Sequence, residues 1–570
     1  MPNQYCLGPL CFVPLTEPSP GIFGLQQFVP GLALMALAWT TADARYRFRV
    51  ASAALPVRTI TFGVLATVGP LTLLTTLWHA QHWLIPRGNL LTPAGWQAIL
   101  GGAFIGTFLL WAWVAFVRPP VFGRRNAKHY ARAFYIAVLR GTDLPEIAYE
   151  LGRSVSQVVR FATSREKQPR QTGPEPQSHE HDVADVELCA NQILLLMADR
   201  KVCRAIVGSS PITAILLFEE LSRTRRFGVP VEIFGRNLVS EALKNADSFL
   251  FTETEGYQTG LLGFHKPLTQ AMYSDFGLVE GVGSLLDLDW KQARELDPTQ
   301  WEAYCRILLV AFSAYAERKA PEHCVVIYRA LQELKQATSD LYKLDGKSQD
   351  WDQPSWQKLH IVIRFIQNAL KALDGLGRPK GISLRLRKVE SPRRDIYDAL
   401  ADLLFEVIWD ASGVRSPVDL CWSIQHNGVW AEIFGFGDHN GPAAQIVKRK
   451  LMGQIYKEIN ELKSFPNFKG ARYLAFCLNV MGLELNRQPA HADSLSLQRA
   501  VLRWTKKNYA LLRQRNPEVA DRCLVAGVSF GQEHMRIVKC YPVEGLRRQP
   551  HYVYLSVNPA PDTPPPFESV

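Results

Sequence analysis

The sequence predicts a mainly α-helical membrane protein: three N-terminal transmembrane helices, a large α-helical cytoplasmic domain and a small C-terminal antiparallel β element. Two long stretches near the start carry no charge, and Lys and Arg gather on alternate sides of them. Most of the remaining chain repeats apolar residues at steps of three and four. At 570 residues the chain exceeds what one compact core organises, and its apolar fraction of 47% excludes wholesale disorder.

Residues 1–20 read as an external tail, and 21–117 as the transmembrane region. The first span, about 21–40, is the weakest because Gln26, Gln27 and Pro30 interrupt it. The second, about 59–79, and the third, about 95–117, are uncharged throughout. Trp96, Trp111 and Trp113 stand toward the ends of the third, where indole rings prefer the headgroup region. Residues 1–44 contain no Lys or Arg, whereas the first loop carries Arg45, Arg47, Arg49 and Arg58. The second loop has only Arg87, and a basic run from Arg118 follows the third span. Cations remain on the cytoplasmic side, which sets the N-terminus outside and the C-terminal bulk inside the cell (inner) membrane.

Net charge is +11, and between Arg118 and Arg170 eleven Lys and Arg face four Asp and Glu. Such a block needs an anionic partner, lipid headgroups or nucleic acid. It covers a helical hairpin over 118–162 and part of a Pro-rich linker over 163–182. Beyond lies an α-rich cytoplasmic domain, 183–557, in which 204–234 is open to a βαβ unit or a helix pair. Period-two patterns near 523–557 predict three short strands, and 558–570 reads as a disordered tail.

In LPEIAYELGRSVSQVVRFA, residues 144–162, Ala148, Gly152 and Val158 match the spacing of a helix-turn-helix. Ser154, Ser156, Gln157 and Arg160 would then face DNA. Many helical hairpins satisfy that spacing, and topology alone explains the basic surround, so a hairpin bracing the membrane helices is favoured over a nucleic-acid reader. The stretch SFLFTETEGYQTGLLGFHKP, 248–267, concentrates Glu253, Glu255 and His265, the first choice for acid–base chemistry, against the simpler reading of a surface loop. Gly102 and Gly106 form a Gly-x-x-x-Gly suited to close helix packing, within the chain or between copies.

Other patterns carry less. HEHD, 179–182, has metal-ligating side chains but no rigid frame expected around it, and GVSFG, 527–531, resembles a nucleophile elbow but precedes a strand rather than a helix. The ten cysteines show no Cys-x-x-Cys and read as small buried hydrophobes, apart from Cys6 and Cys11, which are free to pair if the tail is outside. With no Walker A loop, no Gly-x-Gly-x-x-Gly after a strand, no His-Glu-x-x-His and no zinc spacing, no cofactor or metal is expected. The sequence therefore leans away from an enzyme. It points to a membrane-anchored binding, signalling or scaffold protein, of a stress or defence type, whose partners are the bilayer, a second copy and a cytoplasmic protein or ligand. A membrane-tethered DNA regulator and a membrane enzyme using Glu253, Glu255 and His265 are the alternatives.

Overall fold

The computed structural model describes residues 5–7, 10–14, 22–86, 93–163, 178–259, 266–319, 322–348, 350, 352–377, 382, 384, 394–434, 441–485, 493–525, 527–541 and 549–560. The chain is mainly helical and divides into two compact units, Met1–Leu238 and Val239–Val570.

The first unit begins with strands β1 (Tyr5–Leu7) and β2 (Leu10–Pro14), within the expected tail 1–20. Helices α1 (Leu25–Thr41), α2 (Ala44–Ser52) and α3 (Val57–Ala80) follow. Strand β3 (Leu84–Pro86) then pairs antiparallel with β2, Phe12 opposite Pro86 and Pro14 opposite Leu84. Helix α4 (Pro93–Ala112) runs on through a π turn, Trp113–Val117.

Among the described residues two helices are long and apolar enough to cross a bilayer, Val57–Trp78 and Ala94–Val117, not the expected three. The first expected span forms a helix, but α1 has only 17 residues, starting at Leu25 rather than 21. At 1.5 Å per residue it reaches about 25 Å, short of a typical hydrocarbon core. The three helices nonetheless lie side by side. Phe28, Val68 and Leu100 form one shared cluster, and Val57, Trp111 and Ala115 a second with Trp39 against it. The backbone N–H of Ile22 donates to Gln97 Oε1 at 2.9 Å near the start of α4, while Trp39 and Trp111 meet at the other end. Only 22% and 33% of the two long segments is buried, and Leu34, Phe62, Leu71, Leu74, Ile105 and Leu109 face outward. A belt this apolar is consistent with membrane-spanning helices.

Helices α5 (Ala127–Arg140) and α6 (Leu144–Phe161) make the expected hairpin, with Gly141 in the left-handed region closing α5. The helix-turn-helix is corrected: 144–161 is one unbroken helix and Gly152 lies inside it. The chain goes straight because Ile147, Ala148, Leu151, Val155, Val158 and Val159 build one continuous buried stripe. Helices α7 (Ser178–Met197), α8 (Arg200–Ser209), α9 (Pro211–Thr224) and α10 (Glu232–Leu243) follow. Residues 204–234 thus hold helices and no βαβ unit; α8 and α9 turn a corner of 104° at Ser210, and both pack on α6. Of the expected linker, 164–177 lies outside the described residues and 178–182 begins α7, so the compact units divide well downstream of it.

Arg49 ties this unit together. From α2 it donates through Nε and Nη2 to Glu150 on α6 at 3.0 and 2.6 Å, and through Nη1 to the Ala115 carbonyl at 2.7 Å. Glu150, nearly buried, raises the guanidinium pKa by hydrogen bond and charge. Such a bidentate clamp fixes the end of α4 to α2 and α6.

The second unit carries α11 (Phe249–Thr259), α12 (Pro267–Tyr273), α13 (Phe276–Val282), α14 (Trp290–Glu295), α15 (Pro298–Lys319) and α16 (Val325–Thr338). Then come α17 (Pro354–Asp374), α18 (Ile396–Ala411), α19 (Val418–Trp422), a π turn Ser423–Trp430, and α20 (Ala431–Phe434). Last are α21 (Pro442–Glu461), α22 (Phe468–Met481), α23 (Leu495–Arg515) and α24 (Pro517–Arg522). The antiparallel sheet β4 (Val528–Gly531), β5 (Arg536–Tyr541), β6 (His551–Ser556) matches the three expected strands. Helix α18 is the hub, packed by α16, α21 and α22, with Tyr473 stacked on Phe405 at 4.2 Å. Of the expected tail, 561–570 lies outside the described residues.

Candidate functional site

The second unit contains a cavity of about 350 Å³ between α15 and α17, closed on one side by Thr254 of α11. Residues 302, 305, 306, 309, 310 and 313 of α15 recur at helical spacing, as do 361, 364, 365 and 368 of α17, so each helix turns one face to the cavity. Leu309, Val310, Ile361 and Phe365 make the apolar walls. Its polar end is an ion triad: Glu302 lies 3.0 Å from Arg306 and 3.4 Å from Arg364. Two guanidiniums share one carboxylate, and the buried Arg306 Nε makes no hydrogen bond. Among the described residues one positive charge is left over at the end of an apolar slot of the size that small-molecule sites have. Burial pushes the Cys305 thiol well above its ordinary range, so it is a poor nucleophile. Among the described lining residues the carboxylate is Glu302, and it is held by the two arginines.

The sequence-predicted residues are distributed differently. Glu253 accepts from the backbone N–H groups of Leu268 and Thr269 at 3.2 and 2.8 Å and so caps the first turn of α12. Glu255 lies in α11, with its side chain outside the described residues, as is His265. The surface-loop reading of 248–267 is corrected over 249–259, which form α11 with Thr254 lining the cavity, while 260–265 lie outside the described residues.

In the first unit Ser154 is buried, accepting from the Phe122 N–H at 3.1 Å, while Ser156 and Gln157 are half-buried and Arg160 is exposed. Burial takes Ser154 away from any DNA surface, while Ser156, Gln157 and Arg160 lie on the more accessible side of α6. Gly102 and Gly106 are exposed, with no neighbour where a Cβ would stand, so they do not pack among the chain's own helices. Ser529 sits in β4 with β5 after it, so GVSFG is a hairpin strand. No metal-binding group of His, Cys, Asp or Glu occurs among the described residues.

Two buried charged sites escaped the sequence. Lys450 of α21, fully buried, bridges Asp395 at 3.0 Å and Asp398 at 2.5 Å at the start of α18, where the two carboxylates also form a capping box. A signal was present: Asp395, Asp398 and Asp402 stand on one face of a mostly apolar helix. The second is Lys539. The alternation of β5 places it on the inner face beside Ile537, between the rings of Trp422 and Tyr541, each 4.7 Å from its amine, which donates to the Asn479 carbonyl. Burial pushes that amine down to about 7, against two ring faces and a carbonyl that favour the charge.

No family model, curated protein or solved structure matches the chain. The geometry of the chain itself therefore carries the functional reading.

Proposed function

We propose that the chain is a membrane-anchored ligand-binding protein with signalling or scaffold character, whose cavity between α15 and α17 takes a small amphipathic anion. One observation carries the reading: an apolar slot ends at two arginines that share a single carboxylate. A carboxylate or sulfonate head would take the uncompensated guanidinium charge, and a short apolar body would fill the slot.

The anchor is α3 and α4, with α1 as a short third crossing. The pairing of β2 with β3 supports this third crossing. Strand β3 belongs to the loop between α3 and α4, so the N-terminal hairpin shares that loop's side, opposite Arg45–Arg58. Whether or not α1 crosses, both arginine-rich flanks fall on one side, the cytoplasmic one by the charge rule.

The probe pair is 4-butylbenzoate and 4-butylbenzyl alcohol, titrated into the full-length protein in nanodiscs by calorimetry. The expected result is tighter binding of the carboxylate, weakened about ten-fold or more in Arg306→Gln and Arg364→Gln. Leu309→Trp, which fills the slot without touching charge, should abolish binding of both probes. Equal binding of acid and alcohol, or binding indifferent to all three replacements, refutes the site.

A further inference from the structure

A second cavity, of about 340 Å³, lies in the first unit where the membrane helices meet the α5–α6 hairpin. Its floor is aromatic: Trp39 from the end of α1 and Trp111 from α4, with ring centres 6.1 Å apart. Its rim is basic: Arg47 from α2, Arg58 from the first turn of α3 and Arg140 from the last turn of α5. One carboxylate, Asp143, answers these three guanidiniums, and it contacts Arg47 at 3.5 Å in an exposed pair that contributes little. Arg58 and Arg140 are exposed and have no acidic partner among the described residues. The mouth thus holds a surplus of two positive charges.

We infer that this cavity binds the phosphate of an anionic glycerophospholipid from the cytoplasmic leaflet. The placement selects lipid over a soluble anion. Indole rings at the floor sit at the headgroup level of the bundle, and basic pockets between membrane helices on that side suit anionic headgroups. From the floor an apolar track leads outward: Trp39 meets Phe62 at 5.7 Å, and Phe62 and Leu37 are 51% and 59% exposed. Phosphate oxygens bridge Arg58 and Arg140 while an acyl chain lies along Phe62 and Leu37. Arg58 and Arg140 come from different elements, so a phosphate between them also staples α3 to the hairpin, beside the Arg49–Glu150 clamp.

The inference rests on the membrane anchor and is independent of the ligand cavity in the second unit. The test is native mass spectrometry of the detergent-purified full-length protein with added phosphatidylglycerol or phosphatidylcholine of matched chains. One phosphatidylglycerol per chain is expected to be retained at least ten-fold more strongly than phosphatidylcholine. Arg58→Gln with Arg140→Gln should remove that preference, Arg58→Lys with Arg140→Lys should keep most of it, and Arg125→Gln, an exposed charge outside the cavity, should leave it unchanged. Circular dichroism on each variant separates loss of the site from loss of the fold. No preference between the lipids, or a preference that survives the double Gln variant in folded protein, overturns the inference. Glycerol phosphate competing as well as the lipid would overturn the lipid assignment. Purification without detergent would instead refute the anchor.

Discussion

Lys539 is an ammonium-bearing side chain at a strand position that its neighbour Ile537 fills with hydrocarbon. Two aromatic faces and one carbonyl oxygen offset the loss of water around it. With the amine's pKa lowered to about 7, the folded chain binds fewer protons than the unfolded chain between about pH 7 and 10.5. Stability therefore rises with pH across that window, and the cost of the buried charge is fully present below it. Lys539→Met removes the titration. The difference in unfolding free energy, wild type minus variant, should increase by about 2–4 kcal/mol from pH 6 to pH 10.5. Denaturant melts at the two pH values measure it, and a flat or falling difference contradicts the assignment. The residue was legible to the extent that strand alternation marks it as inward-facing; its ring partners come from distant segments that no local pattern connects.

Helix α6 shows how one spacing serves two geometries. Small residues at 148 and 152 permit a turn in a helix-turn-helix, and they equally permit a second helix to come close. Here Thr213 of α9 lies against them, its hydroxyl donating to the Ala148 carbonyl at 2.7 Å, and a Cβ on Gly152 would stand 2.8 Å from that oxygen. Helix propensity alone makes Gly152→Ala stabilising by about 1 kcal/mol. The crossing makes it destabilising by about 1–3 kcal/mol, because buried Thr213 has to move. Thermal unfolding of Gly152→Ala decides by sign, and Thr213→Ala in the same chain should recover part of the loss.

Most elements of this kind were readable from apolar periodicity: the α5–α6 hairpin, the amphipathic helices through α23, and the three C-terminal strands. Misread elements failed for local reasons. RAIVGSS, 204–210, has strand-like composition yet ends α8 at its corner with α9, only the last three residues of VPVEIF, 229–234, are helical, opening α10, and α1 begins four residues late because Gly24 and Gln27 cap it. The cavity of the second unit was not legible, since its two arginines lie 58 positions apart and share Glu302 only once α15 and α17 pack.

For the whole molecule, the decisive feature is an apolar belt facing outward, with basic segments before and after it in the sequence. Burial of 22% and 33% along the two long segments leaves most of their side chains without protein neighbours, which water does not tolerate over such an area. The surplus charge of the chain is concentrated beside that belt, between Arg118 and Arg170, where an anionic leaflet attracts it. In the proposed anchor the bilayer is solvent for the helices and counter-charge for the hairpin. The proposed ligand and lipid sites are separate in their chemistry. The measurement that bears most directly on the anchor is fractionation of the full-length chain expressed in cells, with the membranes washed at alkaline pH. Two uncharged helices threaded through lipid keep the chain in the membrane pellet until detergent is added; release of the chain into the wash contradicts the anchor.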